Sequence, residues 1–195
     1  MFKHRHLFIA VLLAFTLIVA ADAQEGPKGA VVLIIRHAED GGPGQALAPR
    51  GQERAEAYKN YFLNFAFDSK RLEPAVIFAA KDSKKSHRPR LTVEPFAKAA
   101  IFKIDTRFGN NQSTELAAAL RATEPGKRIL ICWRHPYVPD LLRALGANPE
   151  SLLPRGKWPG SIYDWVILLS YDKEGRLIPG GSRRINEHLM PGDSQ

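Results

Sequence analysis

Short unbroken apolar runs alternate along this chain with longer stretches in which apolar residues recur at every third or fourth position. The first pattern belongs to strands buried on both faces of a sheet, the second to helices with one buried stripe. Strands are predicted at Ala30 to Arg36, at Ala75 to Ala79, near Ala100 to Ile104, and at Ile129 to Trp133. Between them a helix is predicted from Pro49 to Phe65, where Ala55, Tyr58, Phe62 and Phe65 share one face and Pro49 suits the first turn. A second helix starts near Pro89 and carries Leu91, Phe96, Ala97 and Ala100, with Pro95 expected to kink or shorten it. Ser113 to Ala122 reads as a third, capped by Ser113 or Thr114 and stopped by Pro125-Gly126. Pro139 to Leu145 reads as a fourth, ended by Gly146. Strands alternating with helices in this way indicate an α/β sandwich.

The pattern changes after Pro159. Asp164 to Tyr171 and Arg176 to Pro179, joined by Asp172-Lys173-Glu174-Gly175, are predicted to form a C-terminal antiparallel hairpin on an otherwise parallel sheet. Residues after Gly180 are polar and are expected to be an ill-ordered tail. No repeat or second domain is visible, so residues 24–195 are read as a single domain with its core at about 30–180.

The N-terminus carries a different signal. Lys3 and Arg5 precede an apolar stretch from Leu7 to Ala20, followed by Ala21-Asp22-Ala23. That is the order of a cleavable export signal, and the apolar stretch is shorter than the roughly 20 residues a bilayer span requires. Cleavage after Ala23 would leave 172 residues beginning at Gln24, a length suited to one full core. The expected location is periplasmic or secreted, with no stable membrane insertion after cleavage. Cys132 is the only cysteine, so no intramolecular disulfide can form, and its place inside an apolar run makes it a small hydrophobe.

The formal net charge of +8, or +7 after cleavage, fits nucleic acid, an anionic surface or small anions as partners. The Lys and Arg residues are dispersed apart from Lys84-Lys85, Arg88-Pro89-Arg90 and Arg183-Arg184, and no nucleic-acid motif is present. A small phosphorylated substrate or inorganic phosphate is the expected partner.

The candidate chemistry lies at strand ends. Arg36-His37 follows the first strand, His135 follows the Ile129 strand, and Arg88 opens a helix between them. Ligands of open α/β sheets bind at that carboxyl edge. Two guanidinium forks suit phosphate oxygens, and an imidazole nitrogen can attack phosphorus. No metal-ligand motif such as HExxH or CxxC is present, and neither a metal nor another cofactor is expected. Glu39, two residues beyond His37, and Asp82, after the second strand, are alternative proton donors, with Glu39 the preferred one.

These residues resemble a known family. Arg36-His37-Ala38-Glu39 is similar to the Arg-His-Gly/Ala-Glu signature of the histidine phosphatase superfamily, in its phosphoglycerate mutase-like branch 1. Leu47-Ala48-Pro49-Arg50-Gly51-Gln52-Glu53-Arg54-Ala55 resembles its Leu-Thr/Ser-x-x-Gly-x-x-Gln-Ala segment, and Arg88-Pro89-Arg90-Leu91-Thr92 its Arg-Ala-x-x-Thr segment. His135 before Leu141 resembles its late histidine, and the resemblance runs from about Val31 to Tyr171. It implies a three-layer α/β/α sandwich with a mostly parallel sheet. It also implies catalytic His37, phosphate-clamping Arg36 and Arg88, and His135 as the fourth pocket member. The activity implied is hydrolysis of small phosphomonoesters through a phosphohistidine, without a metal.

Three departures stand out. Ala48 replaces a capping hydroxyl, Arg54 replaces Gln, and Arg134 stands where glycine is usual, pointing either away from the pocket or onto its rim. The alternative function is a non-catalytic module that captures phosphate or another anion on the same fold. A third reading is a basic protein that docks on an anionic envelope. Specificity is expected from the loops around 41–44, 83–85 and 152–160, while Trp133, Trp158 and Trp165 are read as core or loop staples.

Overall fold

The computed structural model describes residues 25–41, 44 and 46–193; the expected leader, residues 1–23, lies outside the described residues. The first half comprises β1 (Val31–Arg36), α1 (Pro49–Leu63), β2 (Ala66–Phe67), β3 (Lys70–Arg71), β4 (Val76–Ala79), α2 (Arg88–Ala100) and β5 (Ile104–Asp105). The second comprises α3 (Ser113–Arg121), β6 (Arg128–Trp133), α4 (Val138–Ala144), α5 (Pro149–Leu152), β7 (Trp165–Ser170) and β8 (Arg183–Asn186).

Six strands form one sheet in the order β5-β4-β6-β1-β7-β8, while β2 and β3 pair separately. The strands from β5 to β1 run parallel, and β7 and β8 run antiparallel. Period-two alternation sorts each central strand onto two faces. Val32 and Ile34 of β1, Ile129 and Ile131 of β6, and Ile167 and Leu169 of β7 pack on α3 and α4 through Leu116, Leu120, Leu141 and Leu142. The intervening residues Leu33, Ile35, Leu130 and Val166 pack on α1 and α2 through Tyr58, Phe62, Val93 and Phe96. Both faces are covered, so the architecture is the expected three-layer α/β sandwich. Cys132 lies in the second of these cores, fully buried, and burial pushes its thiol pKa up, which suits an inert side chain.

Several expectations are corrected. Helix α2 is not shortened at Pro95 but runs on from Arg88 to Ala100, because Val93, Phe96 and Ala97 anchor it in the core against a proline cost of about 3 kcal/mol. It ends on Ile101 in the left-handed conformation, which moves the short edge strand on to Ile104–Asp105. The cap of α3 is Gln112 rather than Ser113 or Thr114; Gln112 Oε1 accepts from the Gly109 amide, and Ser113 lies inside the helix.

The largest correction concerns the C-terminus. The second strand of the hairpin is Arg183–Asn186, paired with Trp165–Leu168. Arg176–Pro179 contributes only an isolated bridge between Leu177 and Tyr171. The supposed tail is therefore ordered structure. Glu187 is buried with both carboxylate oxygens accepting from Tyr58 Oη, at 2.8 and 2.9 Å. Asp193 accepts the Leu189 and Met190 amides and holds Arg54 at 2.6 Å. A polar composition reads as solvent-facing until its partners, far away in sequence, are known.

Candidate active site

The parallel register of β1 and β6 sets Arg36 opposite Trp133, and the His37 amide donates to the Trp133 carbonyl at 3.0 Å. Both strands end there, so His37 and His135 emerge together at the carboxyl edge, with ring centroids 6.4 Å apart. One strand further, α2 returns Arg88 to the same edge, where its charge acts on the His37 ring. Thr92, one turn into α2, ties the two segments together. Its hydroxyl accepts from the Ala38 amide at 2.9 Å and donates to the Arg88 carbonyl at 2.8 Å. Thr92 belongs to the motif read in the sequence, but its joining role shows only in the fold.

His37 is 2% exposed, and its Nδ1 lies 2.7 Å from the Ala38 carbonyl oxygen. A carbonyl can only accept, so Nδ1 carries the proton and the Nε2 lone pair is free. Burial, reinforced by the Arg36 and Arg88 charges, lowers the His37 pKa to about 4 despite the opposing Ala38 hydrogen bond. The ring is therefore neutral at neutral pH, the state a nucleophile needs. His135 is likewise lowered to about 4, by burial and by the charges of Arg36 and Arg134. Arg134 thus sits close enough to act as a cation on the rim.

Arg36 is almost fully buried and lies over the Tyr163 ring, 3.7 Å from its centroid. Its Nη1 donates to the Gly160 and Ile162 carbonyls at 2.8 and 2.9 Å. Two buried nitrogens beside the site, Arg36 Nε and His135 Nδ1, have no hydrogen-bond partner among the described residues. Orphaned groups of this kind are costly unless a ligand satisfies them. Arg88 donates from Nε to the Ala46 carbonyl at 3.1 Å and from Nη2 to the Gly44 carbonyl, which fastens the loop after β1.

The two expected donors are placed differently. Glu39 is gripped by Arg54, with Nη2 2.8 Å and Nε 3.0 Å from its carboxylate oxygens, and by Arg50 at 3.2 Å. Burial alone would raise the Glu39 carboxyl, but the Arg54 hydrogen bonds outweigh it and hold the group below its usual range. Asp82 is paired with Arg90 at 2.9 Å. The carboxylate whose charge acts on Arg36, His37 and His135 alike is Asp40. Sequence reasoning passed it over; its one signal is adjacency to Arg36-His37-Ala38-Glu39. Among the described residues no cluster of three or more His, Cys, Asp or Glu has metal-binding geometry.

Gly51 explains another motif position. A Cβ there would lie 2.3 Å from the Glu39 carbonyl oxygen and 2.9 Å from its amide nitrogen, both rigid backbone. Gly51→Ala is expected to cost about 2 kcal/mol, as overpacking typically does. Denaturant unfolding measures this, and a midpoint equal to that of the parent protein would refute the close approach.

No family model matches the sequence, and no curated protein matches it. Solved structures do match in fold. A phosphoserine phosphatase from Entamoeba histolytica in complex with 3-phosphoglyceric acid aligns with a TM-score of 0.55 at 13% identity, over 83% of this chain and 100% of its own. The protein histidine phosphatase SixA complexed with tungstate aligns at 0.54 and 13%, over 80% and 97%. A phosphoglycerate mutase from Plasmodium falciparum aligns at 0.52 and 15%, over 85% and 96%. In fold, this chain is therefore similar to these phosphatase and mutase structures.

Proposed function

We propose that this protein is a phosphatase that hydrolyses small phosphomonoesters through a phosphohistidine on His37. One observation carries the reading: a buried, neutral imidazole has its Nδ1–H fixed on a backbone carbonyl and its Nε2 free. The Nε2 lone pair forms the P–N bond as the ester P–O bond breaks. Arg36, Arg88 and the His135 ring stabilise the charge spread over the non-bridging oxygens. Asp40, the carboxylate common to both histidines, gives the leaving oxygen its proton and takes one back from the attacking water. Water then breaks the P–N bond, which releases inorganic phosphate and restores neutral His37. Glu39 acts through Arg54 as a positioning residue for the loop that carries His37. Tungstate and 3-phosphoglyceric acid in the structural neighbours support a phosphate-type ligand here. The Lys3-to-Ala23 pattern supports placing this activity outside the cytoplasm.

A second reading, phosphate capture without turnover, is favoured by the pairing of both expected proton donors, Glu39 with Arg54 and Asp82 with Arg90. One experiment separates the two. Mature protein in excess chelator is mixed with an aryl phosphate, quenched in alkali and assayed for phosphohistidine. Hydrolysis with a base-stable, acid-labile phosphoryl group on the protein is expected. Phosphate binding without any trapped phosphoryl group would establish the capture reading instead.

A further inference from the structure

A cavity of about 540 Å³ has His135 in its wall. We propose that this cavity receives the leaving alcohol of the substrate. The substrate is then a phosphomonoester with a ring-sized body that carries a second anionic group. The inference rests on the phosphatase reading and adds the substrate class to it.

Size is the first observation. A volume in this range accommodates a small organic molecule, far more than a phosphate alone requires. His135 lines the cavity and its ring centroid is 6.4 Å from that of His37, so a group bound there lies next to a phosphoryl group held between the two histidines. Pro136 and Pro139 at the start of α4, together with Trp158, provide apolar surface for the body of a ligand. Trp158 is held in place by its indole N–H, which donates to the Ile162 carbonyl at 2.9 Å, and by the adjacent Trp165 ring. The same carbonyl accepts from Arg36, so the cavity wall and the phosphate clamp share one anchor.

Charge is the second observation. Arg143 is already neutralised locally, by Asp140 at 3.0 Å and Glu150 at 3.7 Å. Arg155 and Lys157 also line the cavity, yet among the described residues neither has a hydrogen-bonded or ion-pair partner for its side chain. Two uncompensated cations in a concavity focus an attractive potential on anions. The backbone turns sharply to put them there. Arg155 adopts φ +52° and Gly156 φ +67°, consecutive left-handed residues in the turn Pro154–Gly156. An arginine rarely takes that conformation, and such outliers persist where the surroundings enforce them. Glycine at 156 meets the demand of that positive φ, which a residue with a Cβ would rarely adopt.

The test uses a matched pair of probes, adenosine 3′,5′-bisphosphate and adenosine 5′-monophosphate, with phosphate release measured from each. At low ionic strength kcat/KM is expected to favour the bisphosphate by about tenfold or more, the scale of one charge-assisted hydrogen bond. The preference should shrink as salt is added. In the double variant Arg155→Asn, Lys157→Gln the preference should fall by about tenfold; Asn tolerates the left-handed backbone, and circular dichroism checks that the variant folds. Equal kcat/KM for the two probes in the parent protein, or an unaltered ratio in the folded double variant, overturns the inference and leaves the phosphatase reading intact. If neither probe is hydrolysed, the aryl phosphate experiment still decides the phosphatase reading. Calorimetric titration with the bisphosphate then decides the cavity: affinity lost about tenfold in the double variant sustains it, and absent or unaltered binding overturns it.

Discussion

Replacing His37 by alanine is expected to lower aryl phosphate turnover by about 10³-fold or more, equivalent to at least about 4 kcal/mol of transition-state stabilisation. The trapped phosphohistidine should vanish with it. The loss should be in kcat rather than in phosphate affinity, because Arg36, Arg88 and His135 still contribute their donors. Turnover within tenfold of the parent protein would remove His37 from the mechanism. The pH dependence follows from the same burial. Because the His37 pKa lies at about 4 rather than 6.5, the neutral imidazole persists well into acid. Activity should be held as pH falls through 6 and be lost only as pH drops through about 4. A limb with its midpoint near 6.5 would contradict the burial that the fold imposes on the ring. Stability moves in the same direction. Between about pH 6.5 and 4 the unfolded chain binds a proton at this residue that the folded chain does not, so stability rises with pH across that window and is lost on acidification.

Arg54→Met is expected to destabilise the protein by about 3–5 kcal/mol, the usual result of removing one partner from a buried ion-pair network. For a chain of this size that lowers Tm by on the order of 10 °C. Arg54 is 1% exposed and faces three carboxylates, with Glu39 at 2.8 Å, Asp193 at 2.6 Å and Glu187 at 3.6 Å. Methionine fills the volume but leaves those groups without their cation. Burial already raises Glu187 to about 8, against the opposing effects of Tyr58 and Arg54. Without Arg54 its carboxyl should take up a proton more readily still. The segment after β8 should loosen first, because Arg54 joins both Asp193 and Glu187 to α1, leaving Tyr58 and Arg50 as the polar ties between the two. Hydrogen exchange at Leu189 and Met190, whose amides donate to Asp193, reports that loosening. A Tm within a few degrees of the parent, with those amides still protected, would show that the network contributes little.

Turnover in Arg54→Met should fall as well, although Arg54 is not expected to touch the substrate. Glu39 is two residues from His37, and its carbonyl accepts from the Ala48 amide at the start of α1. A loop released at Glu39 would let His37 wander from its line of attack, and small misplacements near a reacting centre are costly. The same network accounts for the departures at Ala48 and Arg54. Ala48 has no side-chain hydroxyl to cap α1, and its own amide donates to the Glu39 carbonyl, which ties the start of the helix to the loop after β1. The guanidinium at position 54 then fastens the Glu39 side chain, so the helix start and the loop after β1 are held as one unit.

The apolar runs made β1, β4, β6 and β7 legible, because strands buried on both faces show their nature in local composition. The helices were legible to within a residue or two at most ends, except that Pro95 stops an isolated helix more effectively than one anchored by Phe96 and Ala97. Strand β8 could not be read. Its residues are Arg183, Arg184, Ile185 and Asn186, and an edge strand with one neighbour needs little apolar surface. Arg184 instead stacks over the Trp165 ring, 4.4 Å from its centroid.

By itself the sequence determined an alternating α/β order and placed Arg36, His37, Arg88 and His135 at the ends of elements, because periodicity and strand-end chemistry are local properties. The tertiary structure decided which of these groups meet and in what state. Register set the two imidazoles 6.4 Å apart, and burial made them neutral. The fold also turned Glu39 toward Arg54, brought Asp40 into range of the histidines, and hollowed a cationic cavity with His135 in its wall. Those outcomes depend on distances between segments far apart along the chain and on the loss of water around them, and neither quantity is written in any short stretch of residues.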